Sequence, residues 1–328
     1  MRLPLALTMG DPAGIGGEIA VKAWSALRGT GPAFLALDDP ARLAASGVPL
    51  RVVSSPEEAL AAFPEALPVS PLALAAPAEP GRPHPANAAV VVESIRRGAE
   101  MAMAGRVAGL VTNPIHKKTL YDGAAFGFPG HTEFLAHLAG GPPVVMLLAG
   151  PNLKVAPVTI HIALSEVPRR LTREMIATTG RVLAEGLRRD FGIASPRLAV
   201  AGLNPHAGEG GAMGREEIEI VAPAVADLRA LGIEVRGPLP ADTMFHAAAR
   251  QSYDAALCMY HDQALIPIKT LDFDQGVNVT LGLGFVRTSP DHGTAYDIAG
   301  RGLADPGSLI AALRMAAAMA ARRPAAPL

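Results

Sequence analysis

The segment from Asp254 to Asp305 constrains the fold more than any other part of the chain, because it interleaves short apolar runs with charged side chains. Runs such as LCMY (257–260) and VNVTLGLGFV (277–286) alternate with groups of aspartate, histidine, lysine and arginine. Burying such groups unpaired would cost on the order of several kcal/mol each, and a surface loop would not carry the apolar runs. Buried strands that end in polar loops explain both features, and an α/β enzyme builds a ligand site in this way.

Strand-like and helix-like segments alternate along the rest of the chain, as expected for the α/β class. The apolar runs that predict strands lie at 3–8, 33–37, 50–53, 107–112, 143–148, 155–160, 197–203 and 255–260. Amphipathic patterns predict helices at 87–103, 172–191 and 215–231. Because the strand-like runs are almost continuously apolar, they predict a parallel sheet. The segment from 64 to 85 is rich in proline and alanine and is predicted to be a surface connection.

Composition excludes several classes of partner. The net charge of -1 and the pI of about 6.8 provide no basic face for nucleic acid. No apolar run approaches the ~20 residues of a membrane span, and the first run is too short for a signal peptide. The single cysteine, Cys258, is predicted to be a buried strand residue and precludes an intrachain disulfide. These features predict a cytoplasmic protein. The length of 328 residues predicts about two domains.

Three histidines each follow an apolar run: His161 after VAPVTI, His206 after LAVAGLNP and His261 after AALCMY. In a parallel sheet these positions emerge at the same edge, where ligands bind. Three histidines from three strands could hold a divalent metal and leave a coordination position open for substrate. The alternative is three unrelated histidines that each find a local partner, and the spacing does not decide between the two.

Two glycine-containing turns are further candidates. The turn from Gly10 to Gly17 follows the first strand and suits either anion binding or a plain tight turn, with Asp11 as a possible site residue. Gly130 breaks the chain before Thr132, which is predicted to cap a helix, and His131 beside it completes a plausible ligand pair.

Two lysines follow the predicted strand at 107–112. Asn113 and Pro114 are predicted to open a helix that places Lys117 and Lys118 in its first turns. Lysine opposes the helix dipole at that end. A solvated face and an anion site both remain open as explanations.

Long motifs in this chain are similar to those of the PdxA family of dehydrogenases. They run in the family's order from Thr8 to about Pro306, so the resemblance covers nearly the whole chain. The motifs are TMGDPAGIGGE (8–18), VTNPIHKKTL (111–120), GHTEFLA (130–136), LNPHAGEGGAMGREE (203–217), PADTMF (240–245) and the run from YHDQ to AGRG (260–302).

The resemblance implies a fold like that of the isocitrate and isopropylmalate dehydrogenases, with two α/β/α domains and a cleft between them. Residues 1–125 plus 265–328 would form a first domain from both chain ends, on the NAD side. Residues 126–264 would form a second domain with the metal histidines and the dimer contacts. It also implies a homodimer whose sites lie at the subunit interface, with both subunits contributing to each metal site.

Site residues carry over from the resemblance by position. His161, His206 and His261 would bind the metal, for which Zn²⁺, Mg²⁺, Mn²⁺ and Co²⁺ are all conceivable. Substrate contacts fall on His131, Thr132, Lys269, Asn278 and Arg287. Lys269, Asp242 and Asp262 are the catalytic candidates. Asp291, His292, Gly293 and Asp297, in a run similar to the adenosine loop of the isopropylmalate dehydrogenases, would bind NAD or NADP.

The implied reaction oxidises 4-phosphooxy-L-threonine with NAD and then removes CO₂, giving 3-amino-2-oxopropyl phosphate, a step of pyridoxal 5'-phosphate biosynthesis. Both steps build negative charge on one oxygen, which a metal held by neutral histidines would stabilise. The group that removes the hydroxyl proton is left open between ionisation assisted by the metal, Lys269 and an aspartate.

Other functions stay open at this point. Members of the same family act on phosphorylated erythronate or threonate or on aromatic cis-dihydrodiols, and Lys269, Asn278 and Arg287 favour a phosphorylated substrate over a diol. Less favoured are a metal-dependent hydrolase, which would turn over without NAD, and a non-catalytic binding protein.

Overall fold

The computed structural model describes residues 3–323, which form alternating strands and helices and confirm the α/β class. The strands are β1 (Leu5–Thr8), β2 (Phe34–Asp38), β3 (Leu50–Val52), β4 (Leu67–Pro71), β5 (Leu110–Val111), β6 (Val145–Ala149), β7 (Lys154–Thr159), β8 (Arg197–Ala201), β9 (Glu234–Leu239), β10 (Ala255–Tyr260), β11 (Val277–Leu281) and β12 (Arg287–Pro290). The α-helices are α1 (Gly16–Leu27), α2 (Pro40–Ala44), α3 (Pro56–Ala62), α4 (Ala88–Met103), α5 (Lys117–Ala124), α6 (His131–Leu138), α7 (Val167–Arg170), α8 (Arg173–Phe191), α9 (Ala222–Ala230), α10 (Ala247–Arg250), α11 (His261–Asp272) and α12 (Gly307–Ala320).

The chain divides into two compact units. Unit 1 comprises Met1–Pro142 and Leu283–Leu328, and unit 2 comprises Pro143–Gly282. The sequence placed the boundaries earlier, at 125/126 and 264/265, and residues 1–2 and 324–328 of that expected first domain lie outside the described residues. The second boundary falls later because β11 pairs with β6 of unit 2 before the chain returns to unit 1.

The strands of unit 1 follow the order β3-β4-β2-β1-β5-β12, and each neighbouring pair is parallel. β1 is buried along its whole length, as is β2, which fits strands covered on both faces. The sequence prediction of a parallel sheet is therefore confirmed for this unit. β12, from the C-terminal end of the chain, lies beside β5, so both ends of the chain build one sheet.

The strands of unit 2 follow the order β11-β6-β7-β10-β8-β9. β7, β10, β8 and β9 are parallel, whereas β6 runs antiparallel to both β7 and β11. A short turn joins β6 to β7, in which the Gly150 N–H donates to the Leu153 carbonyl at 2.8 Å. Such a connection is long enough only for antiparallel neighbours, so the prediction of an entirely parallel sheet is wrong here.

A buried cluster fills unit 2 beneath β7, β8 and β10. It includes Val155, Ala199, Ala256 and Cys258, the last of which is fully buried as predicted. Burial raises the pKa of the Cys258 thiol well above its ordinary value, so this residue is an apolar core group and not a nucleophile.

Several local predictions are wrong. The connection at 64–85 contains β4, whose Leu67 and Val69 are fully buried between β3 and β2. The segment after His261, expected to contain a strand and loops, is helix α11 with Pro267 inside it. Its apolar Leu265 and Ile268 belong to the unit 2 core, so tertiary packing outweighs the proline.

Two helix starts also differ from the prediction. α5 begins at Lys117, because Asn113 is buried and its side-chain amide donates to the Thr8 carbonyl at 3.0 Å. α6 begins at His131 after Gly130, so Thr132 lies inside the first turn and does not cap it. No helix within residues 3–323 combines the length and apolar character needed to cross a bilayer.

Candidate active site

The three strand-end histidines follow three neighbouring parallel strands of unit 2. His161 comes after β7, His261 directly after β10, and His206 shortly after β8, and the strand order is β7-β10-β8. All three therefore leave the sheet at its carboxyl edge, as the sequence predicted. The rings of His161 and His261 approach to 5.7 Å between centroids at an interplanar angle of 43°. Within residues 3–323, no group of three histidine, cysteine or acidic side chains lies close enough to hold a metal.

Two of these histidines occupy left-handed backbone. His161 has φ 56° and His206 has φ 52°, and Ala207 and Glu209 continue the left-handed run. This conformation costs roughly 1–2 kcal/mol per residue without glycine. A backbone outlier of this kind at a strand end is typical of a functional site, because the surrounding structure must impose it.

Glu217 imposes the conformation of the His206 loop. Its buried carboxylate accepts hydrogen bonds from the backbone N–H groups of Leu203 and Asn204, at 2.7 and 2.8 Å. The loop closes so tightly on this carboxylate that a Cβ on Gly208 would lie 2.6 Å from its Oε2. Glu217 lies in the predicted helix at 215–231, and its position in the sequence gave no sign of this role.

In two of the histidines, His261 and His206, the Nδ1 atom lies within hydrogen-bond distance of a neighbouring carboxylate. His261 Nδ1 lies 2.7 Å from Asp262 Oδ1, and His206 Nδ1 lies 3.1 Å from Glu209 Oε2. This arrangement orients each ring and directs its Nε2 outward, as in carboxylate–histidine pairs that support a metal. The donor set therefore fits a divalent metal in its chemistry, and Zn²⁺ and Co²⁺ bind imidazole well.

The remaining candidates of unit 2 occupy three different elements. Lys269 is half-buried on α11, about 12 Å along the helix axis from His261. Asn278 lies on β11, on the face opposite Leu281, and its enclosed Oδ1 has no hydrogen-bond partner within residues 3–323. Asp242 is exposed in a short turn at Ala241–Thr243.

Unit 1 brings Arg287 and His131 together. Arg287 opens β12, is 3 % exposed, and donates from Nη2 to Thr112 Oγ1 at 2.7 Å. Burial lowers the pKa of Arg287 to about 10, partly offset by the charge of Glu133, so the guanidinium stays protonated at neutral pH. A buried cation at a strand end is a strong site for a phosphate or carboxylate. Thr112 and Glu133 are contributors that the sequence did not single out.

His131 is the first residue of α6, and its Nε2 is enclosed without a hydrogen-bond partner in the described part of the chain. Burial, with the positive charges of Arg287 and Lys117, lowers the pKa of His131 well below its ordinary 6.5. The imidazole is therefore neutral at neutral pH. Buried polar atoms without a hydrogen-bond partner are rare in native proteins, and a bound ligand would supply the missing partner here.

The lowered pKa of His131 predicts a pH-dependent stability. Below about pH 6.5 the unfolded chain binds a proton at this residue that the folded chain does not, so stability falls as pH drops. In the His131→Gln variant, the loss of unfolding free energy between pH 7.5 and 5.5 should be smaller by about 1 kcal/mol. Urea unfolding at both pH values measures it. His137→Gln, which alters an exposed histidine of the same helix, is the control, and equal losses in both variants would contradict the prediction.

The predicted nucleotide loop, 291–300, packs beside the glycine-rich turn of unit 1. The Ile15 N–H donates to the Thr294 carbonyl at 3.1 Å, and a Cβ on Gly14 would lie 2.8 Å from that oxygen. Gly14 is therefore required for close approach of the two loops, which favours the tight-turn explanation for this residue. Asp11, buried in the same turn, accepts from the Ala13 N–H at 2.9 Å.

The four nucleotide candidates differ in their surroundings. His292 Nδ1 contacts the Gly293 carbonyl at 2.9 Å, and its Nε2 is enclosed without a hydrogen-bond partner in residues 3–323. The Asp291 N–H donates to Ser308 Oγ at 3.1 Å. Gly293 and Asp297 are exposed. The enclosed His292 nitrogen and the open Gly293 fit a ligand at this loop.

The family model described as "Pyridoxal phosphate biosynthetic protein PdxA" matches residues 34–316. Curated proteins named 4-hydroxythreonine-4-phosphate dehydrogenase from Caulobacter vibrioides and Paracoccus denitrificans are each 58% identical to this chain, and each alignment covers 98% of both chains. A crystal structure of 4-hydroxythreonine-4-phosphate dehydrogenase from Klebsiella pneumoniae is similar with a TM-score of 0.88 and 41% identity, covering 98% of both chains.

Proposed function

The chain belongs to the PdxA family, and from that premise we propose that it is a 4-hydroxythreonine-4-phosphate dehydrogenase. It is an oxidoreductase of pyridoxal phosphate biosynthesis that uses a nicotinamide cofactor and a divalent metal. It oxidises the secondary hydroxyl of 4-phosphooxy-L-threonine and releases the carboxyl group as CO₂, giving 3-amino-2-oxopropyl phosphate. The observation that carries this function is the 58% identity over 98% of the chain.

The buried cation Arg287 supports a phosphorylated substrate. Arginine binds phosphate through two parallel N–H donors, and burial strengthens that interaction by excluding water. The orphaned Nε2 of His131 and the orphaned Oδ1 of Asn278 lie at two positions expected to contact substrate. Thr132, in the first turn of α6, adds a hydroxyl beside His131. An uncharged aromatic diol would leave Arg287 without an anionic ligand.

His161, His206 and His261 would hold the metal, which supplies positive charge to the oxygen that becomes negative during oxidation and decarboxylation. Asp262 orients His261 through the 2.7 Å contact at Nδ1. Asp242 and Lys269 are the proposed proton-handling groups, and Lys269 is also a proposed contact of the substrate. Zn²⁺, Co²⁺, Mg²⁺ and Mn²⁺ all remain within the proposal.

We place the cofactor, NAD or NADP, at Asp291, His292, Gly293 and Asp297 of unit 1, and the dimer contacts in unit 2. A homodimer with sites at the subunit interface is supported by apolar side chains of unit 2 that face solvent in one protomer. Phe273 is 73% exposed, Leu164 67% and Ile266 65%. A partner subunit would cover these side chains and bring a further histidine to the His161–His261 pair. The proposed location is the cytoplasm.

NADH formation from 4-phosphooxy-L-threonine tests the function. Purified enzyme with NAD should turn over, and prior treatment with a chelator should abolish turnover until a divalent metal is restored. Phosphorylated erythronate and threonate, tested in parallel, should react at least ~10-fold more slowly, since a site built for the amine leaves polar groups unpaired with a hydroxyl. Preferential oxidation of a phosphorylated sugar acid would reassign the substrate. Turnover without NAD would indicate a hydrolase.

A further inference from the structure

The two lysines that begin α5 have different environments. Lys118 Nζ contacts Asp122 Oδ2 at 2.7 Å on the exposed face of the helix, one turn away. Lys117 makes no ion pair with another residue of the described chain. Both side chains are solvent-exposed, but only Lys118 has an ionic partner, so what distinguishes Lys117 is the position of its ammonium group.

The Lys117 side chain extends toward the start of α6. Its Cε and Nζ atoms lie 3.7 and 3.9 Å from the position where a Cβ on Gly130 would stand. Gly130 immediately precedes His131, and the charge of Lys117 is near enough to lower the pKa of that histidine. The missing side chain at residue 130 thus keeps an open space between the ammonium group and the first turn of α6.

The charges around this space do not balance. Lys117 and Arg287 contribute two positive charges, and Glu133 contributes one negative charge, with its Oε2 at 3.5 Å from the same Cβ position. The N-terminus of α6 adds partial positive charge, and Gly130 offers no side-chain acceptor to cap it. A lysine in the first turn of α5 also opposes the dipole of its own helix. This arrangement gains stability when an anion is bound.

We propose that Lys117 binds the phosphate group of the substrate, on the same side as His131 and Arg287. This inference rests on the proposed function. A phosphate dianion has three acceptor oxygens, which match the ammonium of Lys117, the guanidinium of Arg287 and the imidazole N–H of a neutral His131. Lys117 is a binding residue that positions the substrate, and the hydroxyl oxidised in the reaction is not its target.

The test compares Lys117→Ala with Lys118→Ala, a matched control from the neighbouring position. Lys117→Ala should raise KM for 4-phosphooxy-L-threonine by about 10- to 100-fold, the effect of losing a charge-assisted hydrogen bond, with a much smaller change in kcat. Inorganic phosphate, as a competitive inhibitor, should bind about 10-fold more weakly. Lys118→Ala should change each value by less than about 2-fold. Lys117→Arg should restore most of the affinity by keeping the charge.

Equal effects of the two alanine variants would overturn the proposal. A raised KM with unchanged inhibition by phosphate would also overturn it, since Lys117 would then contact another part of the substrate. If the wild-type enzyme does not oxidise 4-phosphooxy-L-threonine, the proposed function is wrong, whatever the role of Lys117. Calorimetric titration of inorganic phosphate into wild type and Lys117→Ala still decides whether Lys117 binds phosphate.

Discussion

Replacing His206 with alanine is expected to abolish dehydrogenase activity and to remove the bound divalent metal. The imidazole follows β8 at the carboxyl edge of the sheet, on the same edge as His161 and His261. Losing one of the three proposed neutral ligands would leave a site that neither holds the metal nor stabilises charge on the reacting oxygen, so turnover should fall by more than about 10³-fold. Metal analysis after dialysis and NADH formation measure the two effects.

The fold should survive this substitution. The His206 side chain is 60% exposed, so its removal leaves no cavity. Alanine at φ 52° keeps the same backbone cost, and the Glu217 hydrogen bonds that order the loop involve Leu203 and Asn204 and not His206. His137→Ala, at an exposed position on α6, is the control. A purified His206→Ala protein that keeps both metal and activity would refute the metal assignment.

Arg287→Met is expected to lower kcat/KM for the phosphorylated substrate by more than about 100-fold. Arg287 is a buried cation, and its interaction with an anion is not weakened by solvent as a surface contact would be. Methionine keeps most of the length and removes the charge, so packing around Thr112 changes little. Lysine at this position would keep the charge without the two parallel donors, and should recover only part of the activity.

Stability separates this effect from misfolding. Removing a buried charge also removes its desolvation cost, which offsets the lost hydrogen bond to Thr112, so urea unfolding of Arg287→Met should stay within about 2 kcal/mol of wild type. Arg314→Met, at an exposed position on α12, should change neither activity nor stability. A variant of Arg287 that retains wild-type kcat/KM would exclude this residue from substrate binding.

The strands carrying the histidines were predictable, because apolar periodicity is a local property. β10 was predicted at its observed bounds, 255–260, and β7 and β8 within one or two residues. The strand β6 was predicted, at 143–148, but its antiparallel direction was not, since an apolar run carries no information on strand direction. Helix α11 was missed because the segment from Asp254 to Asp305 was interpreted as strands that end in polar loops, whereas burial of Leu265 and Ile268 in the core favours the helix.

The residue types of the site were also predictable, but their mutual geometry was not. The 5.7 Å approach of His161 and His261 depends on a left-handed turn at His161, which no local pattern encodes. Glu217 resembles any acidic residue of an exposed helix until the loop closes on it. Lys117 and Lys118 are adjacent and chemically identical, and they differ in the ion pair of Lys118 with Asp122 and in the tertiary position of Gly130 beside Lys117.

The placement of β12 beside β5 has a consequence for how the protein is made. Unit 2 occupies a continuous stretch of chain, residues 143–282, whereas the sheet of unit 1 lacks its last strand until residue 290 has been synthesised. At ~5–20 residues per second, the ribosome needs on the order of ten seconds or more to make the intervening unit. During that interval β5 is an open sheet edge on the nascent chain. Unit 1 therefore begins to be translated before unit 2 but completes its sheet after it.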